Sequence, residues 1–100
     1  MTWKVAVHNV HNLEQALKPH EPHIEIVVFG PAIPMLARQS PVAPALRALH
    51  RSGVTIATCA RGAHRRGFTA ATLLPFVHFI PSGIAEIVRL ERAGWAYVRP

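Results

Sequence analysis

The sequence of 100 residues contains a single cysteine, Cys59, and this scarcity excludes several kinds of protein. An intrachain disulfide needs a second cysteine, and a dithiol mechanism within one chain needs a Cys-x-x-Cys motif. Free thiols are also typical of reducing compartments. Any redox or sulfur chemistry of Cys59 therefore requires a second chain or a small thiol.

Long apolar runs, a secretory signal and cofactor motifs are also lacking. No apolar run approaches the roughly 20 residues of a membrane-spanning helix. The first residues lead directly into an amphipathic segment, without the apolar region and cleavage site of a signal peptide. Neither a Walker A motif nor GxGxxG occurs. We therefore expect a cytoplasmic protein without a membrane partner and without a cofactor.

Acidic residues are few, five against eleven lysines and arginines, and the formal net charge is +6. This balance favours an anionic partner, such as phosphates, sulfur oxyanions, nucleic acid or an acidic protein. Arginine bias is equally typical of GC-rich or thermophilic genomes, so the charge does not select a partner. Nucleic acid is disfavoured, because the aromatic residues fall in predicted strands and do not interleave with the basic ones.

Hydrophobic residues make up half of the chain and follow an alternating strand–helix order. Apolar patterns between glycine and proline breaks predict five strands, at residues 2–8, 23–29, 54–59, 76–80 and 95–98. Helices are predicted between them, the last one capped by Ser82 with Ile84, Ile87, Val88 and Leu90 on its inner face. This order predicts a single α/β domain over residues 1–100, with a parallel sheet covered on both faces. So much apolar material in a small body also predicts a homo-oligomer.

The candidate site lies where strands end. Ligands of parallel sheets gather at the carboxyl ends of the strands, where this pattern places His8, Gly30 and Cys59. Cys59 directly precedes a basic helix, whose N-terminus favours the thiolate. The cations predicted to add to this effect, and to bind an anionic ligand, are Arg61, His64 and Arg65. Gly62 would let a sulfur atom or an anion approach the backbone.

Other interpretations of these residues remain open. Cys59 is equally well explained as a small buried hydrophobic residue. A Cys–His hydrolase is a weak alternative, since no acidic residue lies near Cys59 in the sequence to orient a histidine. The pairs His8–His11 and His20–His23 have ligand spacing, but zinc needs three or four ligands, so no metal site is expected.

Several motifs in order resemble the DsrE/DsrF-like family. They are Val27–Ile33, Gly53-Val54 leading to Cys59, Gly67-Phe68 with Leu73–Pro75, Val77–Gly83 and Gly94–Val98. The resemblance covers nearly the whole chain and implies a three-layer α/β/α fold with a five-stranded, mainly parallel sheet. It also implies assembly as a trimer or hexamer. Family members commonly carry Cys-x-Asn-Thr, where this chain has Cys59-Ala60-Arg61-Gly62.

The function that this resemblance implies is sulfur relay. Cys59 matches the cysteine that accepts sulfane sulfur as a persulfide and passes it to a partner protein, in the manner of a sulfurtransferase. Arg61 and His64 would then hold the anionic donor or partner. The alternative is a non-catalytic oligomeric binding module whose basic face holds an anionic ligand or an acidic protein. That face would comprise Arg47, Arg51, Arg61, Arg65 and Arg66.

Overall fold

The computed structural model of the protein describes residues 2–18 and 23–99. Within these ranges, four α-helices and three strands follow one another as α1 (Trp3–Leu17), β1 (Glu25–Val28), α2 (Ala43–Arg51), β2 (Thr55–Cys59), α3 (Ala60–Arg65), β3 (His78–Ile80) and α4 (Gly83–Arg92). A 3₁₀ helix, Gly30–Leu36, joins β1 to the segment before α2. Among the described residues no helix is both long and apolar enough to cross a membrane.

The three strands form a parallel sheet in the order β1-β2-β3, which confirms the predicted parallel α/β arrangement. Neighbouring side chains of a strand point to opposite faces, and Ile56 and Ala57 of β2 are each only 1% exposed. The middle strand is therefore covered on both faces. At its end, buried Thr58 donates a 2.8 Å hydrogen bond to the Val28 carbonyl.

The hydrophobic core joins the sheet to the helices and loops on one of its faces. Its most completely buried large side chains come from the 3₁₀ helix, α2, β2 and the loop before β3, namely Ile33, Leu36, Leu46, Ile56, Leu73 and Leu74. Because these buried side chains come from four separate parts of the chain, their packing holds the carboxyl end of β2 in place. The site at that end is therefore built on the rigid part of the molecule.

The predicted first strand, residues 2–8, is wrong, because these residues form the beginning of α1. The Thr2 hydroxyl caps the helix by accepting a 3.3 Å hydrogen bond from the Val5 N–H. Val5 is 46% exposed whereas Val7 is 6% exposed, so the alternation that suggests a strand does not match the burial. Trp3, Val7 and Val10 instead lie at helical spacing and pack towards the core.

The predicted last strand and the predicted inner face of α4 also differ from the structure. Residues 95–99 pair with no strand among the described residues, so the described sheet has three strands and not five. In α4 only Leu90 of the predicted inner face is buried, while Ile84 and Val88 are 58% and 43% exposed. The side of the helix that faces the protein carries Gly83, Glu86, Ile87 and Leu90, so Ile84 and Val88 lie on the outer side, in solvent.

Candidate functional site

The carboxyl ends of the three parallel strands meet around Cys59, as the sequence predicts for this residue. Cys59 is the last residue of β2 and at the same time the N-cap of α3. Its side chain is half-buried. β3 ends next to it at Ile80, followed by Pro81 and the start of α4. The cysteine thus lies where two helices begin.

The sulfur atom of Cys59 is surrounded by backbone hydrogen-bonding groups. Its Sγ accepts a hydrogen bond from the Gly62 N–H at 3.4 Å, and the thiol donates to the Pro81 carbonyl over 3.9 Å. The N–H groups of Gly83 and Arg61 also act on the sulfur and lower its pKa, but among the described residues only the Gly62 N–H makes a hydrogen bond to it. N–H groups at a helix start have no partner within the helix, so they are available to an anion.

These contacts lower the pKa of the Cys59 thiol below its ordinary value of 9.0. The hydrogen bond from the Gly62 N–H has the largest effect, and partial burial opposes it. The N–H groups of Gly83 and Arg61 and the positive charge of Arg61 lower the pKa further. The thiolate, which is the nucleophilic form, is therefore more abundant at neutral pH than in an isolated cysteine.

Two glycines allow tight packing at the two helix starts beside the sulfur. A Cβ atom on Gly62 would lie 3.1 Å from Cδ1 of Ile33 and 3.6 Å from the Cys59 sulfur. A Cβ atom on Gly83 would lie 2.9 Å from Cδ1 of Phe29. A larger residue at position 83 would therefore separate the packed groups, whereas at position 62 the end of the Ile33 side chain would have to shift by a few tenths of an ångström.

The basic residues of α3 contribute unequally to the site. Arg61 lies in the first turn, is exposed, and acts on the thiol through both its N–H and its charge. His64 and Arg65 lie in the last turn, are exposed, and are not among the groups that shift the Cys59 pKa. Arg61 and Gly62 therefore lie next to Cys59, whereas His64 and Arg65 lie further along the helix.

His8 does not stand at the end of a strand, and this placement is wrong. It lies in α1 and lines a cavity of about 520 Å³ between α1 and α2, together with His11 and Glu14. All lining residues of this cavity come from segments 4–18 and 41–52, so His8 is separate from the Cys59 site. Within the described residues no group of three or more potential metal ligands occurs. His20 lies outside these residues.

Gly83 is the contact residue of the thiol that the sequence pattern did not identify. The Ser82 hydroxyl caps α4, as predicted, by accepting a 3.1 Å hydrogen bond from the Ala85 N–H. A serine cap directly after an apolar strand indicates a helix start at the carboxyl edge of the sheet. The serine cap thus predicts that α4 begins at this edge of the sheet. Only the pairing of β3 with β2 brings the N–H of Gly83, the first residue of α4, close to Cys59.

A second titratable cluster lies between β1 and α4. Glu25, at the start of β1, has its pKa raised to about 7, first by burial and then by a hydrogen bond and charge repulsion from Glu86. Arg89 opposes this effect and binds Glu86 through two 3.0 Å hydrogen bonds. The folded protein therefore binds a proton at Glu25 that the unfolded chain releases at lower pH.

Glu25→Gln is expected to stabilise the protein at pH 8 and to have little effect at pH 4. The folded-state pKa of Glu25 lies above the unfolded value of 4.5, so its unfavourable contribution develops between these two values as pH rises and is complete above pH 7. Because solvent screens this partly exposed group, we expect the free energy of unfolding to rise by only about 1 kcal/mol at pH 8. Urea unfolding at both pH values measures it, with Glu91→Gln, an exposed change of equal charge, as control. An equal gain at both pH values would contradict the prediction.

Similarity to known proteins extends over nearly the whole chain. Residues 6–100 match the model of the DsrE/DsrF-like family. The fold matches the structure of a protein of unknown function, MTH1491, from Methanobacterium thermoautotrophicum, with a TM-score of 0.89 and 31% sequence identity. The match covers 96% of this chain and 85% of that chain. No curated protein matches. The matched region includes Cys59 and both helix starts that contact its sulfur.

Proposed function

The chain belongs to the DsrE/DsrF-like family, and from this membership we propose that it is a sulfur carrier that holds sulfane sulfur as a persulfide on Cys59. The observation that carries the proposal is the 3.4 Å hydrogen bond from the Gly62 N–H to one half-buried sulfur, whose pKa the N–H groups of Gly83 and Arg61 lower further. Such N–H groups stabilise a thiolate, and they would equally stabilise the negative charge of a persulfide.

The proposed reaction transfers one sulfur atom without net oxidation. The Cys59 thiolate attacks the outer sulfur of a donor persulfide, R–S–SH, and forms a new S–S bond. The donor S–S bond breaks, and its electron pair leaves with the donor as the thiolate R–S⁻. An acceptor nucleophile then takes the outer sulfur from Cys59 by the same exchange, which releases the Cys59 thiolate again.

Arg61 is assigned the role of binding the incoming anion. It is exposed beside the sulfur, and its charge already acts on the thiol. The thiolate that leaves the donor is anionic, so the nearby guanidinium favours its departure and also attracts a donor that carries anionic groups. His64 and Arg65 are also exposed and would contact a donor or acceptor protein more remotely. A cytoplasmic location and assembly as a trimer or hexamer complete the proposal.

A non-catalytic binding module is the second candidate. It is favoured by the exposed arginines of α3 and the turn after it, Arg61, Arg65 and Arg66, which could hold an acidic protein. In that case Cys59 would serve only as a helix cap, and its hydrogen bond from Gly62 would be structural. The two candidates differ in whether sulfur is taken up.

The test is to expose the reduced protein to a sulfane donor such as polysulfide and to analyse it by mass spectrometry. We expect one additional sulfur atom per chain, located on the peptide that contains Cys59. We also expect the thiol to react with iodoacetamide faster at pH 7 than glutathione does, because more of it is ionised. If the protein gains no sulfur or alkylates no faster than glutathione, the carrier function is wrong.

A further inference from the structure

The cavity between α1 and α2 has a buried carboxylate in its floor. Glu14 is only 6% exposed, and it lines the cavity beside the buried apolar residues Val7, Val42 and Leu49. The other lining residues of α1 are exposed and form the rim, namely Lys4, His8, His11, Gln15 and Lys18. The cavity therefore combines an apolar floor, one carboxylate and a rim of mainly basic side chains.

The Glu14 carboxylate has no protein partner among the described residues. The ion pair found there joins Glu86 to Arg89, and no donor bonds to Glu14. Lys18 follows one turn later on the same side of α1, yet its ammonium lies more than 4.0 Å from the Glu14 carboxylate. Buried polar groups in native proteins are almost always hydrogen-bonded. The carboxylate is therefore available to a donor that enters the cavity.

The place of Glu14 in α1 supports a ligand rather than a packing role. Trp3, Val7 and Val10 pack towards the core, and Glu14 continues their row seven residues after Val7. An apolar residue at this position would bury its surface favourably, whereas an unpaired carboxylate there lowers stability. A ligand group that pairs with the carboxylate explains why a glutamate occupies the row.

The charges around the cavity favour an occupant that carries both signs. A simple anion would meet the Glu14 carboxylate in the floor, and a simple cation would meet the ammonium groups of Lys4 and Lys18 at the rim. A zwitterion avoids both conflicts, with its ammonium on Glu14 and its carboxylate on Lys18. In an α-amino acid the nitrogen and the carboxyl carbon are about 2.5 Å apart. Such a group fits between two side chains that start four residues apart, about 6 Å along the helix axis.

The wall opposite α1 indicates what the rest of the ligand is like. It is formed by α2 and the two residues before it, and its lining is mostly apolar, namely Pro41, Val42, Ala45, Ala48 and Leu49. The volume of about 520 Å³ lies within the usual range of small-molecule pockets. A ligand whose charged groups face α1 would therefore place an apolar body against α2.

We propose that this cavity binds a free α-amino acid with an aliphatic side chain. Glu14 accepts hydrogen bonds from the ligand's ammonium group, and Lys18 pairs with its carboxylate. The aliphatic side chain packs against Val42 and Leu49. The cavity shares no lining residue with the Cys59 site, so the proposal does not depend on the sulfur-carrier function.

The test compares L-leucine, N-acetyl-L-leucine and L-leucinamide by isothermal titration calorimetry with the full chain at pH 7. Acetylation removes the ammonium group of the ligand, and amidation removes its carboxylate. We expect saturable binding of L-leucine at one site per chain, and binding weaker by about ten-fold or more for each analogue. The proposal is overturned if about 10 mM L-leucine does not saturate the protein, or if either analogue binds as tightly as L-leucine.

Two variants of the protein identify the partner of each ligand group. Glu14→Gln keeps the size of the side chain and removes its charge, whereas Lys18→Met keeps the aliphatic stem and removes the ammonium. Each should bind L-leucine more weakly by about ten-fold or more. Glu91→Gln, an exposed change of equal charge on α4, is the matched control and should bind normally.

A cycle between protein and ligand separates a direct contact from an indirect effect. In Lys18→Met the partner of the carboxylate is already lost, so L-leucine and L-leucinamide should bind with nearly equal affinity. Should a variant unfold, the analogues with the unaltered protein decide. The proposal is wrong if either folded variant binds L-leucine normally, or if L-leucinamide remains weaker by the full factor in folded Lys18→Met.

Discussion

Cys59→Ser is expected to abolish sulfur uptake completely while the fold is retained. The chain has no other cysteine, so no alternative thiol can replace the lost one. Serine is a favoured N-cap, and its hydroxyl can accept the hydrogen bond from the Gly62 N–H that the sulfur accepts in the native protein. Mass spectrometry after polysulfide treatment should show one added sulfur in the native chain and none in the variant, with equal melting temperatures within a few degrees.

A displaced thiol serves as the control for the environment of Cys59. Ala70→Cys in the Cys59→Ser background places a cysteine on an exposed turn residue, away from the two helix starts. We expect this double variant to take up sulfur and to alkylate at pH 7 several-fold more slowly than the native chain, because its thiol lacks the lowered pKa. Equal rates in the two proteins would mean that the surroundings of Cys59 have no functional role.

Gly83→Ala is expected to destabilise the protein by about 1–3 kcal/mol, as overpacking does, and to slow the reaction of Cys59. The new Cβ would lie 2.9–3.0 Å from the Cδ1, Cβ and Cγ atoms of Phe29. Because Phe29 Cβ is fixed to the backbone, rotation of the ring cannot relieve the contact. The start of α4 must therefore move, and with it the Gly83 N–H that helps to lower the pKa of the Cys59 thiol. Urea unfolding and alkylation at pH 7 measure both effects.

A double-variant cycle tests whether the contact with Phe29 is the cause. In the Phe29→Ala background the ring is absent, so the new Cβ at position 83 has fewer close contacts. Gly83→Ala should then lower the free energy of unfolding by at least about 1 kcal/mol less than it does in the native chain, and a coupling of this size is usual for two residues in contact. Phe29 is already partly exposed, so its own truncation should leave the fold intact. An additive cycle would show that the glycine is needed for some reason other than this packing.

The position of Cys59 was predictable because every signal for it is local. Residues 54–59 are β-branched and apolar, and the residues that follow form the helix that Cys59 caps. Both signals depend on neighbours in the sequence, so the strand end, the helix start and the nearby Arg61 follow from reading the chain. Gly83 is 24 positions away, and its contact with the sulfur depends on the pairing of β2 with β3.

Segment 2–8 shows why a pattern alone was insufficient. Trp3, Val5 and Val7 alternate as in a strand, yet Trp3, Val7 and Val10 are also spaced as in a helix. The Thr2 cap and packing against the core favour the helix. His8 moves with this segment, which is why its predicted place at the sheet edge is wrong.

The parallel α/β class, the three described strands and the strand-to-helix junction at Cys59 were predictable from the residues alone, because each depends on hydrophobic periodicity and turn residues within a short window. Three features became clear only from the folded structure: which apolar segments join the sheet, which face of α4 is buried, and which second helix start lies near the thiol. These features arise from pairing and packing between residues far apart in the chain, and local propensity does not specify such contacts.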